Sequence, residues 1–198
     1  RLIGVISVIE NDDVQLATTN GKSIRFATKD LREFSGLGSA GVRGIKLAKD
    51  DKVVSISSLL HNKISIDVRE SYLKAKSEAK KDPSKINKKF KELSDREEFL
   101  LSITENGYGK LSSAYEYRIT NRGGSGVTNI TITPKNGRVI KSLKVNLQDN
   151  IALISDTGKL LRCNVGENIR VVGRVSQGVS VFKLDSKEKI VSVARLED

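Results

Sequence analysis

A phrase made of a tight turn, a glycine-lysine pair and an alternating strand recurs along this sequence and decides its fold. It reads DTGKLLRC at residues 156–163 and TNGKSIRF at 19–26. A looser version, ENGYGKLSSA, occupies 105–114. Turns of this kind between alternating strands are typical of hairpins, where glycine supplies a positive φ. The repetition therefore predicts three similar β units in one chain.

A second recurring element follows each phrase, namely a Gly-Val pair that opens another strand. These strands read GVRGIKL from Gly41, GVTNITI from Gly126 and GVSVFKL from Gly178. A third strand comes after each of them, as VVSIS, VIKSL and IVSVA. Repeated four-stranded units are typical of propeller-like folds, because one such unit cannot bury its apolar faces alone.

One segment breaks the strand pattern. Residues from about 67 to 98 are rich in Lys, Glu, Ala and Leu, and Ile86, Phe90 and Leu93 share one helical face. The pair Asp82-Pro83 marks a break between two helices. Because this insertion offers little apolar surface, we expect it to pack loosely beside the blades.

The fold class predicted from these patterns is all-β, with propeller-like blades and a helical insertion. The predicted division of the chain is the end of one blade plus a complete blade at 1–60, the insertion at 61–98, a blade at 99–148 and a C-terminal blade at 149–198.

Composition restricts the class of function. The chain has 35 Lys and Arg against 24 Asp and Glu, a formal net charge of +11, which favours a polyanionic partner such as nucleic acid. A single cysteine, Cys163, and a single histidine, His61, argue against a disulfide framework, a metal site and a catalytic triad. No apolar run approaches the roughly 18 residues of a membrane span. We predict no catalytic residue, no metal site, no membrane contact and a cytoplasmic location.

Together, NGYGK, GVRGIKL followed by DKVVSI, and VGRVSQGVSVFKL followed by KIVSVARL resemble the C-terminal domain of the DNA gyrase A subunit. The resemblance covers all three units and implies a β-pinwheel, in which neighbouring blades exchange strands and a basic surface binds and wraps duplex DNA. It implies a domain that is non-catalytic by itself. The rest of the A subunit and the gyrase B subunit would be its partners in negative supercoiling. ATP and Mg would bind elsewhere in that enzyme, so no cofactor is expected in this chain.

Two features depart from the family pattern. A complete gyrase domain has about six blades, whereas this sequence shows three and part of a fourth. The family's basic Gln-Arg-Arg-Gly-Gly-Lys-Gly box is missing, and the nearest match is NRGGSG, from Asn121 to Gly126. We therefore expect the chain to bind DNA but to wrap it poorly on its own.

Basic residues at matched places in the repeats are the predicted DNA contacts. Period-two alternation places Arg25 and Arg162 on the outward faces of matching strands. Evenly spaced cations can follow a phosphate backbone without reading sequence. The predicted DNA-binding residues are Lys22, Arg25, Arg43, Lys46, Lys110, Arg118, Arg122, Lys159, Arg162, Arg170 and Arg174.

Two other functions remain open on the sequence. One is a propeller-like scaffold whose positive charge binds acidic proteins. The other is a topoisomerase IV C-terminal domain, whose blades match these motifs less well. Steep salt dependence of duplex binding would separate a DNA-binding domain from the scaffold.

Overall fold

The computed structural model describes residues 2–36, 38–79 and 90–196. Among the helices in those ranges, none combines the length and apolar character needed to cross a membrane. The elements in chain order are β1 (Asp12–Thr18), β2 (Lys22–Ala27), β3 (Val53–Leu60), α1 (Ile66–Ala79), α2 (Lys91–Asp95), β4 (Phe99–Thr104), β5 (Tyr108–Ser113), β6 (Val127–Thr128), β7 (Val139–Val145), β8 (Asn150–Ser155), β9 (Leu160–Asn164), α3 (Val165–Asn168), β10 (Val179–Ser180) and β11 (Ile190–Leu196).

The strands form three antiparallel sheets, which we call the first, second and third blades. Their strand orders are β3-β1-β2-β6, β10-β5-β4-β7 and β11-β8-β9. The predicted β fold with a helical insertion is confirmed. The predicted blade boundaries stay predictions, and residues 2–9, assigned to the end of an earlier blade, form no strand.

The two shortest strands cross from one repeat to the blade before it. β6 belongs to the second repeat but pairs with β2, with Val127 opposite Ser23. β10 belongs to the third repeat but pairs with β5, with Val179 opposite Gly109. Each of these two blades is thus completed by the repeat that follows it, which is the strand exchange of a pinwheel.

The strand predicted at GVRGIKL is wrong, because residues 41–48 form no strand. The equivalent segments of the later repeats become strands only by pairing with the blade of the repeat before. Within the described residues no such blade precedes Gly41, so this segment has no edge to pair with.

The positions of the turn glycines correct one of the predicted matches between repeats. Gly21, Gly107 and Gly158 have φ values of 75°, 75° and 84°. Each donates its N–H to a carbonyl oxygen three residues earlier, at 3.1 Å. In ENGYGK the turn glycine is therefore Gly107, and the match through Gly109-Lys110 was wrong by two residues. The physical reason is that the Asn-Gly pair, and not the Gly-Lys pair, occupies the turn.

The faces of the first blade show why alternation misleads in this fold. The polar side chains of Gln15, Ser23 and Ser57 are buried, although they alternate with apolar residues. Ser142 of the second blade donates its N–H to Ser55 Oγ of the first at 3.0 Å. The polar face of the first blade thus packs on its neighbour, because stacked blades bury both faces of a sheet.

The contact between the second and third blades is apolar instead. Its buried core includes side chains from β4, β5, β7, β8 and β11, among them Leu101, Ile103, Leu111, Ile151 and Leu153. This layer buries the large aliphatic residues that the sequence pattern assigns to strand interiors.

The insertion packs on the second blade through aromatic rings. Tyr72 of α1 is fully buried and meets Phe90 and Tyr115 edge to face, with ring centroids 5.7 and 5.6 Å apart. The Tyr115 hydroxyl donates to the Leu93 carbonyl at 3.0 Å. The expectation of loose packing needs one correction. Tyr72 is the single buried residue of α1 and α2 has none, but Tyr115 of the blade supplies an aromatic partner that the insertion's own sequence does not reveal. Ile86 and the predicted break at Asp82-Pro83 lie outside the described residues.

Candidate nucleic-acid interface

Two matching stretches, RITNR and RVVGR, join the second strand of a blade to the short strand that crosses back. We call them the crossing segments, residues 118–122 and 170–174. The second residue of each forms a parallel bridge with the second strand of the preceding blade. The bridges make Arg118 equivalent to Arg170, and the last arginines of the two segments equivalent to each other. Cations therefore recur at the same two places in consecutive repeats.

The last arginine of each crossing segment is held by a matching backbone contact. Arg122 Nη1 donates to the carbonyl of Arg43 at 3.3 Å. Arg174 Nη1 donates to the carbonyl of Thr128. Arg43 and Thr128 each directly follow the Gly-Val pair of their repeat. These bonds fix the direction of each guanidinium in the same way.

A basic groove lies where the first two blades, the second crossing segment and α1 meet. It has a volume of about 440 Å³. Lys22 Nζ donates to Thr128 Oγ1 at 3.3 Å, and Glu116 Oε2 accepts from the backbone N–H of Arg174 at 2.6 Å. We call this the junction groove, and its charged lining residues are Lys22, Arg69, Glu116, Arg118 and Arg174.

A second basic group surrounds NRGGSG. Gly123 donates its N–H to the Gly44 carbonyl at 2.6 Å, and Lys46 donates its N–H to the Gly124 carbonyl at 2.9 Å. This loop therefore clasps the segment that follows Gly41. The clasp brings together three exposed cations, Arg43, Lys46 and Arg122.

Arg25 does not point outward as predicted. Its residue exposure is 2%, and its Nε lies 2.8 Å from Asp13 Oδ2. Its Nη1 and Nη2 donate to the carbonyls of Ala114 and Leu60 at 2.9 and 2.8 Å. The prediction was wrong because the second blade covers this face of β2. In this position Arg25 ties two blades together and cannot reach a phosphate.

Lys110 is also buried, with no exposed surface. Its Nζ donates to Ser112 Oγ at 2.6 Å and to the Arg174 carbonyl at 2.9 Å. Removal from water lowers the pKa of Lys110 to about 8, against the raising effect of Glu116. The shifted match between repeats explains the error, because Lys110 occupies the strand position of Ile24 and not that of Lys22.

Three predicted residues of the third repeat, Lys159, Arg162 and Arg170, are exposed but have different surroundings. Lys159 forms ion pairs with Asp185 and Glu188, the second at 3.0 Å. Hydrogen bonds to these two carboxylates raise the pKa of Lys159, and its charge is balanced locally. Arg162 and Arg170 are exposed and lie apart from the junction groove.

Sequence reasoning missed one groove residue, Arg69, and the equivalence of the two crossing segments. Arg69 lies on α1, in a stretch of mixed charge that gives no sign of facing the blades. Arg118, Arg122, Arg170 and Arg174 were each predicted as DNA contacts, but the match through glycine-lysine pairs did not show that RITNR and RVVGR are equivalent segments of consecutive repeats.

Antiparallel blades, two of them completed to four strands by the repeat that follows, define a strand-exchanged β-propeller. Residues 12–59, 98–146 and 149–197 each match the family described as DNA gyrase C-terminal domain, beta-propeller. The chain belongs to that family.

Similar proteins agree with this assignment. The chain is 39% identical to the DNA gyrase A subunit of Rickettsia bellii, covering 100% of this chain and 23% of that protein. It is 34% identical to the DNA gyrase A subunit of Salmonella typhimurium, covering 100% and 18%. The chain thus spans about a quarter or less of these relatives.

Solved structures show the same fold. A DNA gyrase A C-terminal domain matches with a TM-score of 0.70 and 26% identity, over 96% of this chain and 52% of that one. A DNA topoisomerase IV C-terminal domain matches with a TM-score of 0.70 and 21% identity, over 95% and 47%. At 21% identity, the second match speaks for the fold alone.

Proposed function

We propose that this chain binds duplex DNA without sequence preference and helps to wrap it, as part of a gyrase A subunit. In that role it supports ATP-dependent negative supercoiling together with the rest of the A subunit and the gyrase B subunit, in the bacterial cytoplasm. The chain itself supplies no reaction centre. ATP, Mg and the catalytic groups belong to other parts of the enzyme.

The observation that carries this proposal is the repeat of arginines at both ends of the two crossing segments. Equivalent cations on consecutive blades present charge at regular intervals, and the phosphate backbone presents the same target at every step. Guanidinium groups suit this task because they bind phosphate oxygens through two parallel hydrogen bonds.

Contacts with such a surface can supply the free energy needed to bend duplex DNA. Curving 20 to 30 base pairs through a large angle costs on the order of 1–6 kcal/mol. Several phosphate contacts spread over adjacent blades can offset this, since each releases condensed counterions. The family's glycine-rich basic box does not occur in this sequence, and the glycines of its nearest match, NRGGSG, serve the backbone clasp. Wrapping by this chain alone should therefore be weak.

The burial of Arg25 and Lys110 narrows the proposed contacts. Both are assigned to blade packing, and Lys159 contributes little because two carboxylates pair with it. The remaining proposed DNA contacts are Lys22, Arg43, Lys46, Arg118, Arg122, Arg162, Arg170 and Arg174.

A fluorescence titration with two duplexes of about 40 base pairs and unrelated sequence tests the proposal. We expect equal affinities for the two and a steep, linear fall of log affinity with log salt between about 50 and 200 mM. Absence of binding at the low end of this range would overturn the proposal and favour a scaffold for acidic proteins. A large difference between the two duplexes would overturn binding through phosphates.

A further inference from the structure

Helix α1 of the insertion reaches the junction groove through one residue, Arg69. Arg69 lies in its first part and reaches the groove that Lys22 and Arg118 line from the blades. Tyr72, almost one turn further along, is locked between Phe90 and Tyr115. The aromatic anchor therefore fixes the helix so that Arg69 faces the blade junction.

The charges of the groove are unbalanced. Four cations face one carboxylate, that of Glu116, and this carboxylate already accepts a hydrogen bond from the backbone of Arg174. Among the residues that the structure describes, the guanidinium groups of Arg69 and Arg118 make no hydrogen bond or ion pair. Like charges that line one groove repel one another, so an anion in the groove would relieve the repulsion.

The shape of the groove favours an extended anion over a small one. It is open to solvent along the blade junction, and its cations come from four separate places: β2, α1, the first crossing segment and the second crossing segment. A polyanion whose charges are spaced along a backbone can meet all of them at once, whereas a single inorganic ion can meet only some.

We propose that the insertion contributes Arg69 to DNA binding, and that the junction groove holds a run of duplex phosphates between α1 and the blades. This rests on the proposed function of the chain and adds an element to it. The insertion is then an arm on the DNA path, with its orientation set by the Tyr72 cluster. In this proposal the insertion takes part in DNA binding and is not simply a solvent-exposed addition beside the blades.

The test compares Arg69→Ala with Lys74→Ala, an equal loss of charge at an exposed position of the same helix that does not line the groove. With a duplex of about 40 base pairs, Arg69→Ala should weaken binding about 3- to 10-fold near 100 mM salt. It should also reduce the slope of log affinity against log salt by roughly one unit. Lys74→Ala should retain the wild-type slope, and Arg69→Lys should restore most of it.

A second variant probes the groove from the blade side. Glu116→Gln keeps an oxygen that can accept from the Arg174 N–H but removes the one carboxylate, so it should tighten duplex binding. Circular dichroism and thermal melting of each variant should match wild type, because the altered side chains are not in the core.

The outcomes separate the two proposals. If the wild-type chain does not bind duplex DNA at low salt, both fail. If it binds with the expected salt dependence and Arg69→Ala behaves as Lys74→Ala does, the DNA-binding function stands and the role of the insertion is overturned. An unchanged or weaker affinity of Glu116→Gln would likewise contradict a phosphate in the groove.

Discussion

Arg25 Nε and Asp13 Oδ2 lie 2.8 Å apart in the buried layer between the first and second blades. Asp13 also faces His61, whose Nδ1 lies 2.7 Å from its other carboxylate oxygen. The guanidinium completes its bonding with carbonyls on both sides, including that of Ala114 just after β5. A strand position that alternation assigns to solvent thus holds the central polar link between two blades.

Replacing Arg25 by Ala should destabilise the fold, not weaken DNA binding directly. Loss of one partner from a buried, hydrogen-bonded ion pair leaves the other charge uncompensated, and typically costs about 3–5 kcal/mol. Urea denaturation of Arg25→Ala should show a loss of this size. Arg43→Ala, an exposed arginine in the same repeat, should stay within about 0.5 kcal/mol of wild type. Equal, small losses in both variants would contradict the structural role of Arg25.

Lys110 should make folding stability rise with pH. Its pKa is about 8 in the folded chain against an ordinary value of 10.5, so the unfolded state binds more protons between these values. Below this range the buried charge opposes folding fully. Across it the free energy of unfolding should rise by up to about 1.4 kcal/mol per pH unit.

The measurement is denaturant unfolding of wild type and Lys110→Met from about pH 7 to 10.5. Met removes the titrating amine but keeps an unbranched side chain. The stability of wild type should rise relative to the variant as pH increases. Parallel pH profiles would show that Lys110 is not held in the position described.

The contacts of Tyr72 with Phe90 and Tyr115 should stabilise helix α1 without affecting the stability of the blades. In Tyr72→Ala the helix loses its buried anchor and its contacts with Phe90 and Tyr115, so residues 66–79 should open locally. Hydrogen exchange should show lost amide protection in α1 and retained protection in β4 and β5. Lys74→Ala, on the exposed face, serves as the control and should keep α1 protected. Protection retained in Tyr72→Ala would contradict the anchor.

Gly107 and Gly158 allow the stability cost of a positive φ to be measured separately from the cost of a steric contact with another strand segment. A Cβ at Gly107 would lie 2.2 Å from the carbonyl oxygen of Phe182, whereas at Gly158 no described atom lies within 4 Å. Both have positive φ, so Ala at either position costs about 1–2 kcal/mol in conformation. Gly107→Ala should therefore lose more folding stability than Gly158→Ala. The amide of Phe182 donates to the Gly107 carbonyl at 3.1 Å, and in Gly107→Ala its hydrogen should exchange faster with solvent. Equal losses of stability in the two variants would contradict the close contact between Gly107 and the backbone of Phe182.

The fold was predictable from the sequence because its signals are local. Turn glycines and period-two alternation lie within single hairpins, and the structure contains these hairpins as β1–β2, β4–β5 and β8–β9. The Gly-Val pairs are less local, since two of them open strands that cross to the preceding blade and the first forms no strand. What the sequence could not show is which face of a blade meets another blade. Gln15, Ser23 and Arg25 have the polarity of solvent-facing residues but form a buried polar layer.

The candidate site was predictable only in part for the same reason. Arg118, Arg122, Arg170 and Arg174 could be found from sequence, since their spacing repeats. The junction groove could not, because it is assembled from three repeats and the insertion. Nothing near Arg69 in the sequence indicates that the Tyr72 anchor turns it toward Lys22.

The most direct test of DNA binding through exposed cations at the blade junction is the salt dependence of duplex affinity for two double variants of equal charge. Lys22→Ala/Arg118→Ala removes two groove cations, and Lys63→Ala/Lys74→Ala removes two exposed lysines that do not line the groove. We predict that the slope of log affinity against log salt falls by roughly two units in the first variant and stays at the wild-type value in the second. Equal slopes in the two variants would contradict the account.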